Sequence, residues 1–319
     1  MRALITGISG FVGSHLAEHL LNSGGWTVAG TVYGDAGNIV HLRDELELYE
    51  AELSELDTVR DIVSDCRPDA IFHLAAQPIP SLSRDDPWFT LETNIRLQIN
   101  VLQAAAQVTP QAAVLVVGSS EEYGRVGETD LPVDEDTPLR PTTPYGVSKI
   151  AQDYLGLQYH LSHRLRTVRV RPFNHLGPRQ RRGFVAPDFA SQIAEIEAGQ
   201  QPPVMTVGQL DVARDFSDVR DIVRGYVMAL AHGEPGEVYN LGAGEAHTIR
   251  ELLDVLLSHA SVPVEVRQDP ARMRPADTPK IVSDCSKFHR QTGWRPRISF
   301  EQTLADVLDD WRTQTRINT

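Results

Sequence analysis

Tyr145 and Lys149 stand four residues apart in the segment Pro144-Tyr-Gly-Val-Ser-Lys149. If this segment is helical, residues at this spacing share one face. An ammonium group beside a phenol stabilises the phenolate and lowers the phenol pKa from about 10. Such a phenol can exchange a proton with a carbonyl or alcohol oxygen. The spacing therefore indicates an acid–base pair, although a surface Tyr/Lys pair is the simpler interpretation of these two residues alone.

A glycine-rich segment near the start of the chain, Thr6-Gly-Ile-Ser-Gly-Phe-Val-Gly13, lies between an apolar stretch and an amphipathic one. In a strand–turn–helix unit, glycines at this spacing allow a tight turn and let a pyrophosphate approach the helix N-terminus. The segment therefore predicts a dinucleotide site.

The end of the second predicted strand bears on which dinucleotide binds. It reads Gly30-Thr-Val-Tyr-Gly-Asp35, with no acidic residue at the tip, where NAD sites hold the ribose hydroxyls. Asp35 comes late, and Arg43 is the nearest arginine for a 2′-phosphate. This pattern favours NADP(H), with NAD(H) as the alternative.

The elements that must position these residues alternate along the first half of the chain. Short apolar runs predict strands at 3–6, 27–31, 47–51, 70–74, 114–117 and 167–171. Helical patterns between them cover 11–22, 56–66, 89–109 and 144–163. Strands separated by helices indicate βαβ units and a parallel sheet covered on both faces.

The second half of the chain is more irregular. Helices are predicted at 187–198, 218–231, 249–260, 286–292 and 300–312, with strands at 237–241 and 264–266. We predict an α/β fold with a Rossmann doubly wound parallel sheet and a smaller C-terminal α/β substrate domain. The dinucleotide-binding domain would comprise residues 1–173, with about 211–241 folding back onto it. Residues 174–210 and 242–319 would bind the nucleotide sugar.

Composition excludes several classes of protein. The 319 residues carry a net charge of −13, which argues against a nucleic-acid-binding surface. The two cysteines form no disulfide framework or zinc motif, so we expect a reducing cytoplasm. A strand pattern at the N-terminus leaves no room for a signal peptide, and no apolar run reaches the roughly 18 residues that span a membrane.

A third segment, Ser119-Ser-Glu-Glu-Tyr-Gly124, follows a predicted strand. Together with the glycine loop and the Tyr145/Lys149 pair, it resembles the extended short-chain dehydrogenase/reductase family, in its nucleotide-sugar-modifying branch. The resemblance covers nearly the whole chain. It implies that Tyr145 is the acid/base, that Lys149 lowers its pKa and binds the nicotinamide ribose, and that Ser119 hydrogen-bonds the reacting oxygen.

The resemblance also implies further cofactor contacts. Phe72-His-Leu-Ala-Ala-Gln77 resembles the stretch lining the cofactor, and Asn94 matches a buried asparagine that supports the site. Besides Tyr145 and Lys149, the expected cofactor-binding residues are Gly7, Gly10, Phe11, Val12, Gly13, Glu52, Leu53, Leu74, Ala75 and Ala76.

Within this branch, the chain is most similar to GDP-4-keto-6-deoxy-D-mannose reductases. The similarity is carried by the segments 118–124, 173–178, 183–190 and 212–223. It implies hydride transfer from NAD(P)H to a C4 ketone, protonation of the alkoxide by Tyr145, polarisation of the carbonyl by Ser119, and GDP-D-rhamnose as product. A nucleotide diphosphate carries about two negative charges, which suit arginine. The expected substrate-binding residues are Ser120, Glu121, Asn174, Val185, Arg214 and Arg274.

Several alternatives stay open. A GDP-mannose 4,6-dehydratase needs a carboxylate to remove the C5 proton, and Glu121 occupies the matching place, so we include it among the catalytic candidates. The stretch Pro178-Arg-Gln-Arg-Arg-Gly183 is similar to the arginine-rich loop of those dehydratases. Another epimerase or dehydratase, or a UDP- or dTDP-linked sugar, is compatible with the same fold. A non-catalytic NADP-binding sensor or scaffold is a further alternative.

Metal and partner expectations complete the interpretation. His15-Leu-Ala-Glu-His19 has ligand-like spacing but shows no third ligand, so we predict no metal. The helices at 89–109 and 144–163 resemble the pair that forms a four-helix bundle between two subunits in this family. We therefore expect a homodimer, and neither nucleic acid nor membrane as a partner.

Overall fold

The computed structural model describes residues 1–269 and 278–317. Its strands are β1 (Arg2–Thr6), β2 (Thr27–Val32), β3 (Leu46–Glu50), β4 (Ala70–His73), β5 (Ala113–Val117), β6 (Arg166–Pro172), β7 (Asn174–Leu176), β8 (Val204–Val207), β9 (Ala213–Asp218), β10 (Val238–Leu241), β11 (Ala246–Thr248), β12 (Glu265–Gln268) and β13 (Lys280–Ile281).

The α-helices lie between these strands or after them. They are α1 (Phe11–Ser23), α2 (Leu56–Cys66), α3 (Pro80–Asp85), α4 (Pro87–Val108), α5 (Pro144–His163), α6 (Val185–Glu197), α7 (Val219–His232), α8 (Ile249–Ser258), α9 (Ser286–Thr292) and α10 (Phe300–Ile317). Short 3-10 helices cover Gly37–Glu45, Ser120–Glu122 and Glu128–Asp130.

The large sheet has seven strands in the order β10-β6-β5-β4-β1-β2-β3, and every pairing in it is parallel. Alternate residues of one strand enter different cores: Ala3 and Ile5 pack on the side of α1 and α7, whereas Leu4 packs on the side of α2 and α4. A sheet buried on both faces needs apolar residues at consecutive positions, as β1 and β5 have. The predicted α/β fold with a doubly wound parallel sheet is confirmed.

A second group of elements has its own core. In the small sheet, β9 pairs with β7, β11 and β13, and β8 pairs with β12 in a separate two-stranded sheet. Helices α6, α8 and α10 cover these strands with a cluster that includes Phe189, Leu252 and Leu308. After β6 the chain leaves the large sheet and enters the small one at β7. Because β7 pairs with β9 in parallel, with Asn174 opposite Phe216, it comes back to the small sheet about forty residues later.

The elements differ from the sequence-based prediction in specific places. Helices α2, α5 and α9 have the predicted bounds, whereas α10 runs five residues past the predicted end at 312. The sequence did not predict helix α3 or the strands β7, β8, β9, β11 and β13. Elements this short show too little periodicity to be recognised in a sequence. The helix expected from 218 begins at Val219, since Asp218 caps it by accepting from Arg220 N.

The predicted domain boundaries stay a prediction, but the structure shows how the segments are distributed. Within 211–241, α7 and β10 pack with the large sheet, whereas β9 belongs to the small one. Phe288 and Trp294, in the part expected to bind the sugar, are buried in the core of the large sheet beside Tyr226 and Tyr239. In the described ranges, no helix combines the length and the apolar composition needed to span a membrane.

Candidate active site

Ser119, Tyr145 and Lys149 meet at the carboxyl edge of the large sheet. Ser119 follows β5, and Tyr145 and Lys149 lie in the first two turns of α5, which begins where Thr143 Oγ1 accepts a hydrogen bond from Gly146 N at 3.0 Å. The Ser119 side chain lies close enough to the Tyr145 phenol to lower the pKa of that phenol. Lys149 Nζ lies 5.7 Å from the centroid of the Tyr145 ring and donates to Val117 O at 2.9 Å. The structure therefore brings together three of the four predicted catalytic residues, Ser119, Tyr145 and Lys149.

The pKa of Tyr145 moves in the opposite direction from the sequence-based expectation. Burial and the Glu121 carboxylate raise this pKa, and the hydrogen bond from Ser119 opposes them only in part. Burial lowers the pKa of Lys149 to about 8, and the negative charge of Glu122 opposes this decrease. Lys149 is not among the groups that shift the pKa of Tyr145 in this structure, and the burial of the phenol dominates. Tyr145 is therefore protonated near neutral pH, the state that a general acid requires.

The glycine loop has the shape of a phosphate cradle. Helix α1 has Gly10 at its N-cap with no side-chain cap, and its first turn carries no acidic residue. The first N–H groups of a helix lack partners within the helix and favour an anion. Gly7 adopts φ +69°, and a Cβ on Gly13 would overlap the Gly7 carbonyl oxygen. The loop therefore fits a dinucleotide pyrophosphate and tolerates no side chain at Gly13.

The segment after β4 is fastened to this loop. Thr6 Oγ1 accepts hydrogen bonds from Leu74 N at 3.1 Å and from Ala75 N at 3.2 Å. Asn94 holds the far end of the same segment, because its Oδ1 accepts from Gln77 N at 2.7 Å and its Nδ2 donates to Ser148 Oγ at 2.9 Å. One asparagine thus links the predicted cofactor stretch to α5.

The other predicted cofactor residues lie around the same edge. Phe11 and Val12 begin α1, and Ala76 follows Ala75 after β4. Glu52 and Leu53 follow β3; Leu53 is buried, whereas Glu52 is exposed. Asp35 Oδ1 accepts from Gly37 N at 2.9 Å, so the carboxylate next to β2 is engaged in a local turn. Their roles toward a cofactor stay predictions.

A polar cavity of about 240 Å³ is lined by Ser120 and Thr143, residues close in the chain to Ser119 and Tyr145. Its lining includes Arg84, Ser120, Glu121, Thr143, Asn174 and Arg214. Burial raises the pKa of Glu121, while the Arg214 and Arg84 guanidinium groups oppose that rise. Burial also lowers the pKa of Arg214, whose Nη1 donates to Ala213 O at 2.8 Å. Two guanidinium groups beside an open cavity make it suited to an anionic ligand.

Not every predicted substrate residue reaches this cavity. Val185 begins α6 and packs against the core of the second group of elements. It therefore lies among apolar side chains rather than in the described cavity lining. Arg274 lies outside the described residues.

The arginine-rich stretch behind α1 forms protein contacts of its own. Arg179 Nη2 contacts His15 Nδ1 at 2.6 Å and Glu18 Oε2 at 2.7 Å. Arg182 pairs with Glu195. The guanidinium of Arg179 therefore occupies one ring nitrogen of His15, a residue of the ligand-like His15/His19 pair. Among the described residues, no group of three metal-ligating side chains is found, and the absence of a metal stays a prediction.

Three residues beside the site were missed in the sequence. Arg84 lies on the unpredicted helix α3, and no motif marks it. Glu122 is fully buried behind Ser119 and forms an ion pair with Arg171 at 3.0 Å. The sequence offered one signal for Glu122, because a serine followed three residues later by glutamate is a capping-box pattern. Ser83 was also missed, although its Oγ accepts from Tyr145 N at 3.2 Å.

Comparison with known proteins gives consistent results. The family model described as GDP-mannose 4,6 dehydratase matches residues 4–307. The chain is 38% identical to a GDP-6-deoxy-D-mannose reductase of Pseudomonas aeruginosa, over 99% of this chain and 98% of that one. It is 28% identical to GDP-mannose 4,6 dehydratase 2 of Arabidopsis thaliana, over 97% of this chain and 86% of the relative.

A solved structure supports the same relationship. The structure of RMD from Pseudomonas aeruginosa complexed with NADPH superposes with a TM-score of 0.87 at 36% identity. The match covers 98% of this chain and 99% of that one. Fold and sequence similarity therefore agree along nearly the entire length of the chain.

Proposed function

The chain belongs to the extended short-chain dehydrogenase/reductase family, and we propose that it reduces the C4 ketone of GDP-4-keto-6-deoxy-D-mannose to GDP-D-rhamnose. The observation that carries this proposal is the neighbouring Ser119 and Tyr145 side chains, with a protonated phenol, one residue in the chain from Ser120 of a cavity whose lining includes two guanidinium groups. The 38% identity to a GDP-6-deoxy-D-mannose reductase supports the choice of substrate. The favoured cofactor is NADP(H), with NAD(H) as the alternative.

The catalytic residues divide the work of a ketone reduction. NADPH, when bound, supplies the hydride that becomes the hydrogen on C4. The Ser119 hydroxyl donates a hydrogen bond to the ketone oxygen and polarises the carbonyl. Tyr145 transfers its phenolic proton to the same oxygen as negative charge develops there, and a proton from solvent restores the phenol. Lys149, as an ammonium, stabilises the transient phenolate.

The substrate side of the proposal rests on charge and shape. Arg214, with Arg84 near it, offers guanidinium groups to the diphosphate, and Asn174 offers an amide to the sugar-nucleotide. Ser120 and Glu121 border the same cavity and orient the sugar. The backbone N–H groups at Phe11 and Val12 would hold the pyrophosphate of the cofactor, beside the glycines of the loop and the segment Leu74–Ala76.

A second candidate is GDP-mannose 4,6-dehydratase, and one observation favours it. Glu121 is a carboxylate in the cavity itself, with a pKa that burial raises, as a base for the C5 proton would need. The family model that matches residues 4–307 is also described by the dehydratase name. Against it, the greater identity is with the reductase, at 38% compared with 28%.

One experiment separates the two candidates. Purified protein is incubated either with GDP-mannose and NADP⁺ or with GDP-4-keto-6-deoxymannose and NADPH, and the sugar products are identified by NMR. A reductase leaves GDP-mannose untouched and oxidises NADPH with the keto sugar; formation of the keto sugar from GDP-mannose would support the dehydratase. NADPH binding without turnover of GDP-, UDP- or dTDP-linked keto sugars would support a sensor or scaffold. The NMR spectrum also distinguishes rhamnose from its C4 epimer.

We also propose that the protein works in the cytoplasm as a homodimer. Helices α4 and α5 pack against each other and expose large apolar side chains, including Trp88 at 71% and Leu161 at 70%. A groove along α4, lined by Trp88, Leu91, Ile95 and Ile99 among others, supports a helical partner from a second subunit. Both cysteines are free thiols, as a reducing compartment would allow.

The dimer has its own test. Ile95→Glu places a charge in the groove and should yield a monomer by light scattering coupled to size-exclusion chromatography. Val40→Glu is the control, because Val40 is also an exposed apolar residue, at 66%, but lies on the 3-10 helix Gly37–Glu45. Wild-type protein that elutes as a monomer would refute the proposal.

A further inference from the structure

Glu122 is a buried carboxylate beside the catalytic set that the proposed reaction does not use. Its side chain is 0% exposed. Ser119 N donates to Glu122 Oε1 at 2.8 Å, and Ser119 Oγ accepts from Glu121 N at 3.2 Å. The Glu122 side chain therefore fixes the turn that presents the Ser119 hydroxyl.

The same carboxylate lies close to the segment that holds Lys149. A Cβ on Gly118 would overlap Glu122 Oε1, so the carboxylate packs directly against the Gly118 backbone. Lys149 Nζ donates to the carbonyl of Val117, the preceding residue. Carboxylate and ammonium thus bind neighbouring residues of one short segment. In this position the negative charge of Glu122 raises the pKa of Lys149, against the burial that lowers it to about 8.

Several charged groups face Glu122 from the elements around it. Arg171 on β6 lies 3.0 Å from Glu122 Oε2 and is also held by Asp153 Oδ2, at 2.6 Å and 3.0 Å. On α5, Asp153, Lys149 and Tyr145 are its electrostatic neighbours. Burial and the Asp153 carboxylate raise the pKa of Glu122, while Arg171 opposes them. Glu122 therefore becomes negative at higher pH than a surface glutamate, towards the range in which Lys149 loses its proton.

We infer that Glu122 is a positioning residue, which holds the Ser119 turn through its carboxylate and, once ionised, keeps Lys149 an ammonium under mildly alkaline conditions. Glu122 acts through these two residues and touches neither reacting atom. The inference rests on the proposed reduction only for its kinetic consequence. The charge of Lys149 can be measured without any substrate, so failure of the proposed function leaves the inference testable.

The lysine content of the chain makes this measurement simple. The sequence has only three lysines, Lys149, Lys280 and Lys287. In protein labelled with ¹³C-lysine, the Cε shift of each is followed from pH 6 to pH 11, and Lys280→Arg and Lys287→Arg assign the signals. In Glu122→Gln, the titration midpoint of Lys149 should fall by about one pH unit, because an amide carries no charge. The Lys280 midpoint should not move.

Two further variants separate charge from shape. Glu135→Gln is the control, because Glu135 is a partly buried glutamate whose Oε1 likewise accepts from a backbone N–H, that of Asn240 on β10, at 2.7 Å. It should leave the Lys149 midpoint unchanged. Gly118→Ala keeps Glu122 but displaces its carboxylate, and should lower the midpoint as Glu122→Gln does. A Lys149 midpoint equal to the wild-type value in both Glu122→Gln and Gly118→Ala would overturn the inference.

Kinetics with the keto sugar add a second measurement. The ratio of kcat at pH 9 to kcat at pH 6.5 should fall roughly tenfold in Glu122→Gln, since a shift of one pKa unit changes the protonated fraction up to tenfold. Glu122→Asp keeps the charge and should restore much of the ratio. An equal loss of kcat at both pH values would indicate a purely structural role and contradict the part of the inference that concerns Lys149.

Discussion

The two sides of the active-site cavity are built in different ways. On the chemical side, Ser119 follows β5, and Tyr145 and Lys149 lie on α5, whose N-terminus meets the same sheet edge. On the substrate side, Arg84, Asn174 and Arg214 come from α3, β7 and β9. The chemical side depends on one sheet and one helix. The substrate side depends on three elements, and its two arginines, Arg84 and Arg214, lie more than a hundred residues apart in the chain.

This difference has a consequence for function. The chemical side is enclosed and cross-linked by hydrogen bonds, from Lys149 Nζ to Val117 O and from Ser119 N to Glu122, so its geometry exists before any ligand binds. Arg84 is exposed and Arg214 only partly buried, so their guanidinium groups have room to adjust to a ligand. We therefore expect substitutions on the chemical side to lower kcat, and those on the substrate side to raise KM.

The largest effect is expected from Tyr145→Phe. Removal of the phenolic proton should lower kcat by about 10²- to 10⁴-fold, because the proposed reaction then lacks its general acid. The dissociation constant for NADPH should change little. Tyr154→Phe, on the same helix with 53% exposure, is the control and should behave as wild type. A rate within a few-fold of wild type in Tyr145→Phe would refute the role of the phenol.

A smaller effect is expected from Gly13→Ala in the cofactor loop. The added methyl group would overlap the Gly7 carbonyl and the Ile8 backbone, which cannot move without opening the turn. Overpacking of this kind costs about 1–3 kcal/mol, which corresponds to roughly 5- to 150-fold weaker NADPH binding in a calorimetric titration. Gly127→Ala is the control, since its Cβ meets only side-chain atoms at ordinary contact distance. Unchanged affinity in Gly13→Ala would mean that the pyrophosphate does not lie on this loop.

On the substrate side, Arg214→Ala should raise KM for the keto sugar about tenfold or more, while kcat falls much less. The loss of one charged hydrogen-bonding group costs roughly 1.5–3 kcal/mol. Steady-state kinetics with the exposed Arg250→Ala as control measures the split between KM and kcat. If Arg214→Ala lowered kcat as strongly as Tyr145→Phe while KM stayed constant, the distinction between the two sides would be wrong.

The smallest effect is expected from Arg84→Ala. Because Arg84 is exposed, solvent screens its charge, and the contribution of such a group is about 1 kcal/mol or less. KM should rise about two- to fivefold, and less at 0.5 M salt than at 0.05 M, because ions screen an exposed charge. A KM that is independent of both the substitution and the salt concentration would remove Arg84 from the substrate site.

The sequence predicted one side of the cavity better than the other, for a physical reason. Spacing within a helix places Tyr145 and Lys149 together wherever the helix lies, and α5 has its predicted bounds. The glycine loop is equally local, since its strand, turn and helix are consecutive. Asn174 and Arg214, by contrast, were proposed from a family resemblance, and only the β7–β9 pairing brings their strands together.

Some features of the site depend on which side chains are buried, and this could not be predicted from the sequence. The pKa of Tyr145 rises because the phenol is enclosed, although the nearby lysine suggested a fall. Val185 was expected at the substrate but packs in an apolar core. Glu122 appeared to be one of two adjacent acidic residues, yet it is fully buried, whereas Glu121 lines the cavity.

The sequence by itself determined the kind of fold and the kind of chemistry. Alternation of apolar runs with helical patterns required a parallel sheet, and short-range spacing defined the dinucleotide loop and the Tyr145/Lys149 pair. Tertiary structure alone decided which opposite charges interact. Lys149 interacts with Glu122, and Arg84 and Arg214 interact with Glu121. Local geometry is encoded within a few residues, whereas protonation and recognition depend on burial and on neighbours that only the folded chain supplies.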